Sequence, residues 1–246
     1  MILDWLYPPT CMGCKVLLPL NDKKQRTHLL CLSCAELLEP ITETTCNRCG
    51  QPMATPTAKT CNQCRGKTLH FTTNYALFIY EGFIRDIILN IKFRNKKNHA
   101  KALGYIWADF LRGKNPFMEN AVLCPLPLHK KKQRERGFNQ AEVLAAALGK
   151  GLNLPVEKAL IRTVDTPPQA GLHPAARVEN VADAFSVTSG YTVAGKHIII
   201  VDDIYTTGAS INECARVLQE NGAAQVMCLT LVITLRKEKK HETETE

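Results

Sequence analysis

Ile198-Ile199-Ile200-Val201-Asp202-Asp203-Ile204-Tyr205-Thr206-Thr207-Gly208-Ala209-Ser210 is the stretch on which the reading of this 246-residue chain turns. Lys196 to Val201 is a continuous apolar run after its first residues, the pattern of a parallel strand covered on both faces. A turn of small residues follows, and Ile211 to Asn221 then reads as a helix closed by Gly222 at C′. A helix N-terminus offers unpaired N–H groups and the positive end of a dipole, which together hold a phosphate. Thr206, Thr207 and Ser210 add hydroxyls, while Gly208 and Ala209 let the backbone come close. Asp202 and Asp203 are wrong for phosphate but right for the hydroxyls of a ribose. Both acids are expected to be exposed at the end of the strand. An N-capped turn beside a solvated acidic pair would account for one Ser or Thr, not for this whole combination. A ribose 5-phosphate satisfies every group.

Outward from this stretch, strands and helices alternate. Asn74 to Tyr80 reads as a strand, and Phe83, Ile84, Ile87, Ile88 and Ile91 recur at helical spacing. A second helix over Ala100 to Leu111 carries Leu103, Ile106, Trp107 and Phe110, read as core rather than as a ligand cage. Ala121 to Pro125 is a short buried strand, Asn139 to Leu152 an Ala/Leu-rich helix, and Gln225 to Thr234 the last strand. This order predicts a parallel α/β sheet, with ligands at the carboxyl ends of its strands.

The first 64 residues have a different chemistry. Eight of the 11 cysteines form four Cys-x-x-Cys pairs: Cys11/Cys14, Cys31/Cys34, Cys46/Cys49 and Cys61/Cys64. Two sulfurs separated by two residues reach one tetrahedral ion from one tight turn, and two such turns close a four-thiolate site. Two structural Zn²⁺ ions are expected, in preference to iron–sulfur clusters. Sequential pairing is favoured over an interleaved cross-brace, which the spacing also permits. Gly13 and Gly50 are expected to supply the knuckle-turn conformation that other residues resist. Four thiolates leave no open coordination position, so the metal should stabilise a small head rather than catalyse. Cys124, Cys214 and Cys228 read as buried small hydrophobes. The composition changes around Leu69 to Thr73, which sets the expected organisation: a double ribbon over 1–70, an α/β domain over 71–235 and a disordered charged tail over 236–246.

Charge narrows the partners. The formal net charge is +8, and between Lys92 and Arg136 stand 12 basic residues against Asp109, Glu119 and Glu135. A concentrated positive region raises the local density of polyanions such as nucleic acid, although a solvated face would carry the same residues. Lys130, Lys131, Lys132, Arg134 and Arg136 are the candidate contacts to a DNA backbone or a diphosphate. Aromatics near this run are few, so base stacking is expected to add little. No apolar run reaches the roughly 18 residues of a spanning helix. Met1-Ile2-Leu3-Asp4-Trp5 resembles no basic leader, and the expectation is a cytoplasmic protein.

Four apolar residues, two acids and Thr-Thr-Gly-Ala-Ser resemble the phosphoribosyl-pyrophosphate signature of type I phosphoribosyltransferases. A cysteine-rich double ribbon followed by such a domain resembles the ComF/GntX family of competence-associated proteins. Pro125-Leu126-Pro127-Leu128-His129-Lys130 and Arg136-Gly137-Phe138-Asn139-Gln140 are similar to family segments, as are Arg162-Thr163, Thr166, Gln169, Leu172, Arg177 and Asn180. The resemblance implies that Asp202 and Asp203 contact the ribose as the catalytic candidates, and that Thr206 to Ser210 take the 5-phosphate. It further implies a diphosphate loop after the Ala121 strand, a mobile loop over Arg162 to Arg177, and Mg²⁺ bridging diphosphate and ribose. The implied role is natural transformation, with single-stranded DNA and other DNA-uptake proteins as partners. A working transferase acting on an amine or base is the alternative, for which no acceptor-reading hood is visible in the sequence. A regulator that senses the sugar diphosphate without turnover fits the same residues.

Overall fold

The computed structural model describes residues 8–54, 57–113, 120–164, 181 and 183–235. The expected tail, 236–246, and most of the expected mobile loop, including Thr166, Gln169, Leu172, Arg177 and Asn180, lie outside the described residues.

Four strands form one parallel sheet: β1 (Asn74–Ile79), β2 (Ala121–Pro125), β5 (His197–Tyr205) and β6 (Gln225–Ile233), in the order β1-β6-β5-β2. The central pair, β5 and β6, is buried along most of its length, which is why both read as apolar runs rather than alternating ones. The crossovers are helical. α3 (Gly82–Phe93) and α4 (Lys97–Leu111) join β1 to β2, and α6 (Gln140–Leu152) follows β2. α7 (Ala209–Glu220) joins β5 to β6, and Gly222 beyond it has φ +86°, as the C′ reading requires. α4 and α6 pack closely: a Cβ on Gly104 would lie 2.6 Å from the Ala147 methyl, so only glycine permits this approach. Three elements of the α/β part escaped the periodicity. The basic run coils into α5 (Lys130–Arg136), and β3 (Leu160–Arg162) pairs antiparallel with β4 (Phe185–Val187) as a separate small sheet.

The head contributes two short helices, α1 (Lys23–His28) and α2 (Leu32–Glu36), and its two ribbons pack into opposite faces of the sheet. Cys11, Met12, Leu18, Leu30 and Leu38 share a core with α3, α4, Ile199, Val201, Leu229 and Leu231. Cys46, Cys49, Cys64 and Phe71 share the other with α7, Ile198, Ile200, Val226 and Cys228. Because side chains alternate along a strand, neighbouring residues of β5 and β6 serve different ribbons. Residues on both sides of position 70 therefore contribute to both cores, and hydrogen bonding to β6 begins where Thr72 N–H donates to Val226 O at 2.9 Å. Cys124, Cys214 and Cys228 are fully buried, as expected. Among the described residues no helix is long and apolar enough to cross a membrane.

Candidate functional site

β5 does not stop at the acids. It runs through Asp202 and Asp203 to Tyr205, because Asp202, Ile204 and Tyr205 pair with Thr230, Val232 and Ile233 of β6. The expectation of two exposed carboxylates is corrected by this pairing. Both residues are half-buried, and the Asp203 side chain keeps only 14% of its surface. Asp203 is paired instead with Lys92, near the end of α3, whose Nζ lies 2.9 Å from Asp203 Oδ2. Asp203 N–H donates to Asp202 Oδ1 at 2.8 Å, which orients the first carboxyl along the backbone. Burial, followed by the Asp203 charge beside it, pushes the Asp202 carboxyl up from its ordinary 3.8 to about 8.

The small-residue turn converts the strand into α7. Gly208 has φ +76° and stands at the N-cap of α7, where a Cβ would run into the Tyr205 ring and hydroxyl. Two independent reasons therefore demand glycine here. Ala209 N–H reaches Thr207 Oγ1 at 3.4 Å, and Asn212 N–H closes the first helical turn onto Gly208 O at 2.8 Å. Thr206, Thr207, Gly208, Ala209 and Ser210 thus gather at one helix N-terminus, at the carboxyl edge of the sheet.

The loop after β2 reaches the same edge, since Leu126 N–H donates to Val201 O at 2.8 Å. Asn139 pins it there. Its Nδ2 donates to Leu126 O at 3.0 Å, while its Oδ1 caps α6 by accepting from Ala141 N–H at 3.0 Å. Phe138 is buried in the core, and Gly137 ends α5 with φ +77°. The Arg-Gly-Phe-Asn-Gln segment therefore acts as a structural clasp. Lys130, Lys131, Lys132, Arg134 and Arg136 lie on α5, between the loop after β2 and this clasp. Lys92 as the partner of Asp203, and the bond from Asn139 to Leu126 O, were not foreseen from the sequence; each depends on a partner away along the chain.

The cysteines assemble as two separate tetrads, Cys11/Cys14/Cys31/Cys34 and Cys46/Cys49/Cys61/Cys64, with the ligand atoms of each within 4.8 Å of one another. This is the sequential pairing, not the cross-brace. Backbone donors surround the first sulfur of each: burial would raise the Cys11 thiol, but the N–H groups of Cys31, Cys14 and Gly13 bring it down to about 7. Cys46 behaves alike, with burial opposed by the N–H groups of Cys61, Cys49 and Arg48, again giving about 7. Thiolate-stabilising donors and closed four-sulfur sets suit two structural zinc sites. The two knuckles use glycine differently from the expectation. Gly50 takes φ +76°, but in the first ribbon that conformation falls to Lys15 at φ +67°. Gly13 is required for room: a Cβ there would lie 2.6 Å from the Phe83 ring and 3.0 Å from Cys34 Sγ.

Comparison with known proteins agrees with this geometry. Residues 2–65 match the double zinc ribbon domain, and residues 135–245 match the phosphoribosyl transferase domain. The chain is similar to competence protein ComFC of Bacillus subtilis, at 31% identity over 65% of this chain and 63% of that protein. It is similar to the DNA utilization protein YhgH of Escherichia coli, at 37% identity over 44% of this chain and 48% of that one. Competence protein F of Haemophilus influenzae is 30% identical over 57% of this chain and 63% of the relative. These matches span between about half and just under two thirds of the relatives' own lengths. The double ribbon, the parallel-sheet domain and these matches agree: the chain carries a double zinc ribbon followed by a phosphoribosyl transferase domain, and it is similar to competence proteins and to a DNA utilization protein.

Proposed function

We propose that the β5–α7 junction binds the ribose-phosphate end of a phosphoribosyl pyrophosphate-type ligand, and that the basic surface beside it binds single-stranded DNA during DNA uptake. The observation that carries the reading is the junction itself: two withdrawn carboxylates, then a glycine-hinged turn that opens directly into a helix N-terminus. The dipole end and backbone N–H groups at 206–210 suit a 5-phosphate. Asp202 and Asp203 suit the ribose hydroxyls. The loop after β2 stands where a diphosphate would extend, with the α5 cations behind it.

Mg²⁺ fits this arrangement as a cation brought by the ligand. Among the described residues, the clusters of three or more metal-ligating groups are the cysteine tetrads, so diphosphate and ribose oxygens would be its principal ligands. The names of the relatives, a competence protein and a DNA utilization protein, support the DNA-handling role and a place among other DNA-uptake proteins. Transfer of the phosphoribosyl group to an amine or base is the second reading, favoured by the match of 135–245 to the transferase domain.

Calorimetry with phosphoribosyl pyrophosphate, on the parent chain and on Asp202→Asn/Asp203→Asn, tests the site. Binding by the parent and its loss in a folded double variant is expected; equal affinity in both removes the assignment. Release of diphosphate across a panel of bases and amines separates transferase from binder.

A further inference from the structure

α3 buries Ile84, Ile87, Ile88 and Ile91, yet it ends in Phe93, 77% exposed and the most solvent-accessible of the large hydrophobic residues described. A single surface aromatic needs no explanation by itself. Its surroundings set this one apart. Residues 92–97 read Lys-Phe-Arg-Asn-Lys-Lys, with every position from 93 to 98 exposed and no acid among them. The turn has a defined neighbour: Asn95 adopts φ +51°, and its amide packs at Gly137, where a Cβ would lie 3.1 Å from Nδ2. That contact joins the turn to the end of α5 and its basic run.

On its other side the turn leads into α4, whose Asn98, Lys101, Ala102 and Tyr105 recur at helical spacing and line a groove of about 830 Å³ against α1. Lys23, Arg26 and Lys150 complete the cations of this groove, and among the described residues no carboxylate lines it. Among the described residues, Lys23, Lys101 and Lys150 enter no ion pair. Phe93 and Asn98 are five residues apart, so chain reach alone keeps them within about 18 Å.

A path of repeated cations with an aromatic face at one point suits a polymer of phosphates that carries accessible π-faces. In a duplex those faces are covered by stacking, whereas a single strand presents them. We propose that a single-stranded nucleic acid crosses the α3–α4 turn with one base stacked on Phe93 and its backbone running along α4 into the groove between α1 and α4. This deepens the DNA-binding reading above, on which it rests, and replaces the expectation that stacking adds little.

The test is fluorescence anisotropy with labelled oligothymidylate and an abasic strand of the same length, over a salt series, using the full-length protein. Phe93→Ala is expected to weaken the base-bearing strand about tenfold, leave its salt slope unchanged and leave the abasic strand unaffected. Phe93→Trp should restore binding. Lys101→Ser with Lys150→Ser should weaken both strands alike and make the slope shallower. Parental affinity in Phe93→Ala, or an equal loss on the abasic strand, overturns the stacking site while the DNA-binding reading stands. A parental slope in the double serine variant overturns the groove as the path. A parent that binds neither strand overturns both this proposal and the reading beneath it.

Discussion

Lys92 Nζ lies 2.9 Å from Asp203 Oδ2, with 18% and 14% of the two side chains exposed, so one of the two candidate ribose-binding carboxylates is neutralised from within the protein. A ligand hydroxyl that approaches Asp203 must share it with this ammonium. The pair also ties α3 to β5, two elements that the sequence separates, among the described residues, by three helices (α4, α5 and α6) and three strands (β2, β3 and β4).

Breaking one side of that pair should be more costly than removing it whole. Lys92→Met leaves Asp203 without a counter-charge beside Asp202, and a loss of about 1–3 kcal/mol is expected, between the values for exposed and fully buried pairs. Adding Asp203→Asn should recover most of it. Urea midpoints for the parent, the two single variants and the double variant check this as a double-mutant cycle; purely additive effects would refute the coupling.

Asp202 makes stability depend on pH in an unusual direction for an acid. Its folded carboxyl, raised to about 8 by burial and by Asp203, holds a proton that the unfolded chain has released above about 3.8. The folded state therefore binds more protons through this window, and stability falls as pH rises across it, by up to about 1.4 kcal/mol per unit. Lys92 and Asp203 face the group and remain in both proteins compared. Asp202→Asn should flatten this contribution and gain relative to the parent between pH 5.5 and pH 8.5, as measured by denaturant unfolding at both values.

Two glycines with nearly the same backbone angle should respond differently to alanine. Gly208 (φ +76°) is crowded by Tyr205, whereas Gly190 (φ +75°) has nothing within 4 Å of the added carbon. Gly190→Ala is expected to cost only the left-handed backbone term, about 1 kcal/mol. Gly208→Ala should cost at least twice that and also lower affinity for phosphoribosyl pyrophosphate, because the turn must move. Thermal midpoints and calorimetry on both variants distinguish the two effects.

Metal content and its removal follow from the tetrads. Elemental analysis should find close to two zinc ions per chain. A strong chelator should loosen both cores, since Cys11 and Cys34 lie in one and Cys46, Cys49 and Cys64 in the other. Asn74→Leu should keep the zinc and still lower the thermal midpoint, because Asn74 Nδ2 donates to Cys49 O at 2.9 Å and to Thr230 Oγ1 at 3.1 Å. Loss of metal in that variant would contradict the separation of ligand set from docking contact.

Much of this architecture was legible because it is written locally. Apolar runs announced β5 and β6, the isoleucines at helical spacing announced α3, and paired cysteines announced both tetrads in the correct pairing. Two acids and a glycine-containing turn located the candidate site. What escaped depends on distant partners. β5 extends through its acids only because Thr230, Val232 and Ile233 stand beside them, and the Lys92–Asp203 pair leaves no local pattern. Gly13 looked like a residue chosen for its backbone angle, but the reason for it is the ring of Phe83, 70 positions further on. Phe93 was not singled out: it lies beyond the isoleucine pattern, which ends at Ile91, and its exposure is decided by packing.

The Asn74 bridge also bears on the order in which the molecule can be completed. Thr230 follows Asn74 by 156 positions, so a ribosome adding about 5–20 residues per second exposes the second ribbon roughly 8–30 s before β6 exists to receive it. During that interval Cys46, Cys49, Cys61 and Cys64 can already close on an ion, while Phe71 and β1 have no sheet to enter. Metal capture is thus possible early and docking necessarily late. The nascent chain holds a loaded knuckle with an uncovered apolar flank until its final strand arrives.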